Sequence, residues 1–275
     1  MLQTPNGWKN EGGKLTNTIE TEEYAKSIDT ARQFWKEGLI YPDAFQPSVD
    51  IKTWFVAGNI CTDPTGYAGW ARYRQQGDPK TGFKLNLLTN PKYDGGGLGQ
   101  IRLGSGSYGI VSLKKADTKR IKELLRILDW MAAPFGSEEY LFRLYGLEGR
   151  DHTMSNGDPR LTKTGISETT IPIRYIADAP PVSYEPGTPD DVKVEHGYQM
   201  KVVPDGIQNP TLGLFSDANA TKGATIAKNM TSATDDIIQG RKPMSHLGEA
   251  IKAWRSGGGD QIRKELQDQL QKRGS

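Results

Sequence analysis

The chain has 275 residues, 35% of them apolar, with 32 glycines and 16 prolines; that suffices to bury a core in one large domain or two small lobes under a wide polar surface rich in turns. Its 35 basic and 33 acidic residues are interspersed and leave a net charge of +2, which argues against the concentrated basic stripe of a nucleic-acid binder. No run of about 18 apolar residues occurs, so no segment is read as a membrane-spanning helix.

The first ten residues, MLQTPNGWKN, lack the basic and apolar regions of a signal peptide. TEEYAKSIDTARQFWKEG predicts a helix: Tyr24, Ile28, Ala31 and Trp35 form one apolar stripe, Thr21 is the N-cap, Gly38 stops it and Pro42 follows. IKTWFVAGNIC predicts a strand through Ile60, with the single cysteine, Cys61, as a buried, inert thiol. One cysteine excludes an intrachain disulfide and a thiolate metal cluster. FKLNLLTNP predicts another strand, ended by Pro91; YDGGGLGQIRLGSGS is a Gly-rich crossing segment, and SYGIVSLKK reads as the strand after it.

DTKRIKELLRILDWMAAP carries the strongest helical pattern, with Ile121, Leu124, Leu125, Leu128 and Met131 on one face and Pro134 at its end. Ser137 caps a second helix, EEYLFRLYG, closed by Gly146. LEGRDHTMSNGDPRLT reads as a polar turn region, and residues 171–210, Pro-rich with Tyr175, Tyr184 and Tyr198 spaced through them, as an extended, loop-rich excursion. From about Leu212 the chain is helical: Leu247, Ile251 and Trp254 form a stripe, SGGGD breaks it, and Asp260 caps a last helix bearing Ile262, Leu266 and Leu270, with a basic tail suited to a helix C-terminus. Strands alternating with helices make the class α/β or α+β with a helical C-terminal portion. Trp130 and Trp254, in helix stripes, read as core, and Trp54 is open between core and site.

The sequence holds no G-x-S-x-G, P-loop, H-E-x-x-H or paired C-x-x-C motif, so no cofactor is expected. GSGSYG, from Gly104 to Gly109, lacks the spacing of a dinucleotide fingerprint, and the residues after it read as a strand. His152, His196 and His246 are scattered and read as surface or turn histidines, too dispersed for a zinc site. Asp63 and Asp217 both lie beside aromatics; they read as turn and cap acids or, alternatively, as the carboxylate pair of a carbohydrate-active hydrolase.

Several blocks in order resemble the C-terminal part of an extracellular solute-binding protein of family 1, the receptors of carbohydrate-importing ABC transporters. These are NGWKNEGGKL with the helix and exit ending GLIYPDAF, then WFVAGNIC, then LLRILDWMAAPFGSEEYLFRLYGLEGRDHT, and finally GEAIKAWRSGGGDQIRKELQDQL. The GSEEY and YGLEG blocks point to the lipoprotein-type subgroup that takes up complex oligosaccharides. Members are longer at the N-terminus, beginning with a lipoprotein signal and a first lobe, so Met1 is expected to be an internal position of a longer receptor. The closing helix also reads KELQDQL where the family usually has an aromatic.

The resemblance implies a periplasmic-binding-protein-like fold of type II, two α/β lobes joined by crossing segments, with the ligand trapped in the cleft by hinge closure. Residues 1–103 would then be part of one lobe, bearing an aromatic turn, and 104–275 the crossing segment, helical block and remainder of the second lobe. GQIRLGSGSYG and the stretch around PDGIQNPTLG would be the crossings, and the opposite wall of the cleft would come largely from elsewhere in the longer receptor. The resemblance maps a cleft-facing turn onto Tyr67 and Trp70, where an indole would cover the C–H face of a pyranose; Asp63 would accept from its hydroxyls, Arg74 shares the helical face of Tyr67 and Trp70, and Tyr108, Phe215 and Asp217 complete the set. The same resemblance implies an extracellular, lipid-anchored, monomeric receptor whose partners are an oligosaccharide or other small molecule and the membrane permease subunits. It implies no catalysis and no metal in this part. A third reading is a peptide or lipid-surface receptor on the same scaffold.

Overall fold

A computed structural model describes residues 2–46, 51–63, 73, 83–93, 95–107, 109–169, 176–178 and 182–274. The expected turn bearing Tyr67, Trp70 and Arg74, and the positions of Tyr108 and Tyr175, lie outside the described residues. The contacts divide the chain into two compact units, Met1–Gly106 with Tyr198–Ser275, and Ser107–Gly197.

The first unit opens with an antiparallel hairpin, β1 (Trp8–Glu11) and β2 (Lys14–Asn17), in register Trp8↔Asn17 to Glu11↔Lys14. A 3-10 turn, Thr18–Glu20, follows under a capping box: the Asn17 side chain accepts from the Ile19 N–H, and the Glu20 carboxylate accepts from the Asn17 N–H. Helix α1 (Glu22–Lys36) begins as the sequence predicts, with the Thr21 hydroxyl accepting the Tyr24 N–H, and Gly38 (φ 71°) lies just past its end. Residues 51–60 are not the expected strand: α2 occupies Ile51–Val56. Ile51, Trp54 and Phe55 recur at i, i+3 and i+4, so helical spacing outweighs their β-prone side chains. Cys61, beyond the helix, is exposed rather than buried, because no strand carries it into a core.

The C-terminal helices of this unit build its core. A wide π-helical turn, Asn219–Gly223, runs into α7 (Ala224–Ile238), and α8 (His246–Trp254) and α9 (Asp260–Gly274) follow. Between α8 and α9 the glycine run breaks the helix as expected, with Gly258 at φ 140°, open only to glycine. A Cβ on Gly259 would lie 2.4 Å from the Trp254 ring, so the glycine lets the indole pack on the backbone. Trp8, Leu15, Ala218, Ile226, Trp254, Ile262 and Leu266 form one buried cluster, and Ile28, Met230, Ile237 and Leu247 a second. Trp254 is therefore core, as read.

In the second unit, α3 (Thr118–Met131) starts at Asp117, whose carboxylate accepts the Arg120 N–H, and α4 (Glu138–Tyr145) starts at Ser137, whose hydroxyl accepts the Tyr140 N–H. Trp130 on α3 is 45% exposed, contrary to the core reading; of the α3 residues only Met131, at the C-terminal end, is buried. The region read as a polar turn is a hairpin, β3 (His152–Ser155) with β4 (Asp158–Leu161). Its two-residue loop, Asn156–Gly157, has φ 53° and 86°, the Asn-Gly geometry that suits a tight hairpin. His152 is buried at 1% exposure rather than on the surface, with Nδ1 3.0 Å from the Tyr145 carbonyl. Helix α5 (Lys163–Thr169) follows, and α6 (Pro189–Val202), which continues across the boundary to the first unit, replaces part of the expected loop, with Pro189 at its first position.

Two other expected strands, within 83–91 and 107–115, join no ladder among the described residues; the first meets only an isolated bridge, Pro91↔Leu98. The α/β class thus holds in coarse form, helix-rich, with strands confined among the described residues to two hairpins.

Candidate functional site

Helix α2 gathers an aromatic cluster in the first unit. The Phe55 ring meets Tyr73 edge-on at 5.5 Å and Phe83 edge-on at 5.8 Å. One residue earlier, Trp54 lies against Tyr41 with ring centroids 4.3 Å apart. The Lys52 ammonium sits 5.8 Å from the Tyr73 ring centroid, in reach of its π-face. Tyr73 is buried, and its hydroxyl donates to Asp63 Oδ2. The other oxygen of that carboxylate, Oδ1, is shielded from solvent and has no hydrogen-bond partner among the described residues. A buried acceptor without a donor is costly, so a hydroxyl or ammonium brought to this point gains an acceptor already desolvated. Aromatic area, a cation and a half-used carboxylate within one cluster are the chemistry that covers a sugar ring and bonds its hydroxyls.

Phe215 lies just before, and Asp217 opens, the short helical start that runs into the π-helical segment. Phe215 is 61% exposed, and its backbone is clamped from α9: Gln269 Oε1 accepts its N–H at 3.1 Å, and Gln269 Nε2 donates to its carbonyl. Glu265, also on α9, accepts from the Ser216 hydroxyl at 2.6 Å and the Ala218 N–H at 3.1 Å. Those two bonds, in that order, together with weaker ones from Gln261 and the Asp217 N–H, outweigh desolvation and hold the Glu265 carboxyl below its ordinary range. Capping of this helix start therefore belongs to Glu265 and to Ser216, whose hydroxyl accepts the Asn219 N–H at 3.0 Å. The exposed Asp217 side chain is left with no hydrogen bond among the described residues.

The structure thus joins Asp63 to Tyr73 and leaves Phe215 and Asp217 exposed two residues apart in the chain, but no hydrogen bond or ring contact among the described residues links the two groups. No contact among the described residues assembles Asp63 and Asp217 into an acid–base pair. Lys52, Phe55, Tyr73 and Phe83 join this cluster although none is among the residues expected from sequence; the available signal is the run of aromatics from Tyr41 to Phe83. The two stretches expected as crossings do lie together: the Leu103 N–H donates to the Ile207 carbonyl at 3.0 Å and the Ile207 N–H to the Ile101 carbonyl at 2.8 Å. Asn6 Nδ2 ties both strands of this bridge, donating to the Leu103 and Ile207 carbonyls at 2.8 and 2.9 Å.

No family model matches the chain. Over 280 residues it is 22% identical to the polygalacturonan/rhamnogalacturonan-binding protein YtcQ of Bacillus subtilis (strain 168), covering 96% of this chain and 54% of that protein. Over 274 residues it is 22% identical to lipoprotein LipO of the same organism, covering 95% of this chain and 54% of LipO. The chain spans about half the length of the curated relatives it matches. Among solved structures, the alginate-binding protein AlgQ2, crystallised without calcium ion, superimposes with a TM-score of 0.58 at 14% identity, over 95% of this chain and 57% of that one. Similarity over nearly the whole chain, to two curated relatives and to the fold of a binding protein, bears out the resemblance to the extracellular solute-binding proteins of family 1.

Proposed function

We propose that the chain is part of the extracellular receptor of an ABC importer, one that binds an oligosaccharide, releases it to the permease unchanged, and performs no catalysis. The observation that carries this reading is the similarity of 96% of the chain to a protein named for binding polygalacturonan and rhamnogalacturonan. Polygalacturonan and alginate are both uronic-acid polymers, so the favoured ligand is an acidic oligosaccharide. Trp70, Tyr67, Tyr108 and Phe215 stack on its rings, Asp63 and Asp217 accept from its hydroxyls, and Lys52 and Arg74 meet its carboxylates. Similarity to a lipoprotein supports a lipid-anchored position at the cell envelope, and the receptor acts as a monomer.

Calorimetric titration of the full chain with oligogalacturonides tests the reading. Saturable binding is expected, weakened roughly ten-fold or more by Trp70→Ala and by Phe215→Ala, as for aromatic hot spots. A fall in melting temperature with unchanged affinity would place Trp70 in the core instead. New reducing ends after incubation would make the protein a hydrolase and overturn the receptor reading.

A further inference from the structure

A cavity of about 450 Å³ lies inside the first unit, between the β1–β2 hairpin and the helices α7, α8 and α9. That is within the range of about 300–1,000 Å³ of small-molecule sites. Its apolar wall is aromatic in part: the Trp8 and Trp254 rings, 6.1 Å apart and inclined at 52°, with Tyr24, Ile226 and Met230 beside them. Its polar wall includes three carboxamides, Asn17, Asn209 and Asn219. Asn17 and Asn209 spend their oxygens on backbone N–H groups, the latter accepting from Thr211 at 2.9 Å, and Asn219 spends neither side-chain atom. All three NH₂ groups are without a protein acceptor among the described residues. The π-helical turn Asn219–Gly223 supplies two lining positions, Asn219 and Gly223, and such turns are frequent at functional sites. No charged side chain lines the space among the described residues.

We propose that this cavity is a ligand site in its own right and that it takes a single neutral hexopyranose ring. Indole faces match the C–H face of such a ring, and three unspent carboxamide donors match its ring and hydroxyl oxygens. A uronate does not fit, because its carboxylate would be desolvated with no cation among the described lining residues to meet it, the Arg263 guanidinium near Trp254 being already paired with Glu20 and Asp260. The site is therefore separate in chemistry from the acidic-oligosaccharide reading and stands or falls without it.

The test is fluorine NMR of the full chain with its six tryptophans replaced by 5-fluorotryptophan, the signals assigned by single Trp→Phe variants, and methyl hexopyranosides and galacturonate as probes. Expected is a saturable shift of the Trp8 and Trp254 signals with at least one neutral pyranoside and none with galacturonate. Asn219→Ala, at an exposed position, should weaken that binding roughly three- to ten-fold, the net effect of losing one hydrogen bond at the solvated edge of the site. Ala227→Leu, an exposed lining position on α7, should fill the space and abolish it with the helical circular dichroism retained. If Ala227→Leu fails to fold, Asn219→Ala alone decides. The proposal is overturned if no neutral pyranoside moves the two signals, if galacturonate moves them equally, if the shift persists in folded Ala227→Leu, or if Asn219→Ala binds as the parent does.

Discussion

Replacing Glu20 is expected to loosen the first unit more than any surface acid. Its side chain is only 4% exposed, and it holds three donors: Arg255 Nε at 2.6 Å, Arg263 Nη2 at 2.5 Å and the Asn17 N–H at 3.0 Å. One carboxylate thereby ties the turn after β2 to the exit of α8 and to α9. Breaking a fully buried ion pair costs about 3–5 kcal/mol. Here the Arg255 side chain, 48% exposed, can turn to water, whereas Arg263, 23% exposed and 6.0 Å from the Trp254 ring centroid, is more confined. Discounting the first and adding about 1 kcal/mol for the lost cap, Glu20→Ala should cost about 2–4 kcal/mol. At about 2–4 °C per kcal/mol for a body of this size, thermal unfolding should shift down by roughly 5–15 °C, read by circular dichroism at pH 7. Glu20→Gln keeps acceptors for the cap and loses the charge, so about half that loss is expected. Burial pushes the Glu20 carboxyl up, but the bonds from Asn17, Arg263 and Arg255 outweigh it and hold the pKa below its ordinary value. That contribution to stability is present above the unfolded carboxyl range and is lost as pH falls through the folded pKa. The glutamine variant should therefore show a shallower acid loss than the parent. Glu20→Gln with the parent's melting temperature and acid profile would refute the reasoning.

In the second unit, burial and then the neighbouring Glu195 and Asp191 carboxylates raise the Glu185 pKa to about 7 from 4.5. The folded state then holds a proton that the unfolded state gives up, so stability should decline as pH rises from 4.5 toward about 7; Glu185→Gln should flatten the decline, and urea midpoints at several pH values measure it. A Cβ on Gly165 would lie 1.9 Å from the Asp151 carbonyl oxygen, so Gly165→Ala should destabilise α5 against β3 by about 2 kcal/mol or more despite alanine's better helix propensity; an unchanged urea midpoint would contradict the close approach. Ile237, fully buried between α7 and its neighbours, should cost about 2–5 kcal/mol as Ile237→Ala, whereas the exposed Lys228 on the same helix should cost under about 0.5 kcal/mol as alanine.

Local chemistry made the helix starts legible. Thr21, Asp117 and Ser137 each accept a backbone N–H from a residue three positions on, and the glycine run after Trp254 ends its helix with a φ open only to glycine. Strands were less legible because a ladder is not local: 83–91 and 109–115 carry strand-like side chains yet join no ladder among the described residues, the first meeting only the isolated bridge at Pro91. Helix α6 escaped for a different reason. Two of its buried positions, i and i+4, are the acids Asp191 and Glu195, so an apolar-periodicity argument reads its inward face as solvated. The β3–β4 hairpin could have been found, since Asn156–Gly157 is a strong turn signal; the polar residues around it hid the strands.

The same distinction governs the site. Neither the contact from Asp63 to Tyr73, which depends on a helix where a strand was expected, nor the environment of Asp217, which is set by Glu265 from a distant helix, could be read from local sequence. An acid at the start of a helix is ordinarily explained by capping. Here Glu265 reaches in from α9 and accepts the Ser216 hydroxyl and the Ala218 N–H, which relieves Asp217 of that task. Its carboxylate stands in solvent beside a phenylalanine that is 61% exposed. An exposed aromatic ring costs free energy that burial would recover, and the backbone that carries this one is fixed by two bonds to Gln269. An exposed ring on a clamped backbone, two residues from an acid freed from capping, suits a surface that grips a sugar, and it gives Phe215 and Asp217 a physical argument as ligand contacts beyond their neighbourhood in sequence.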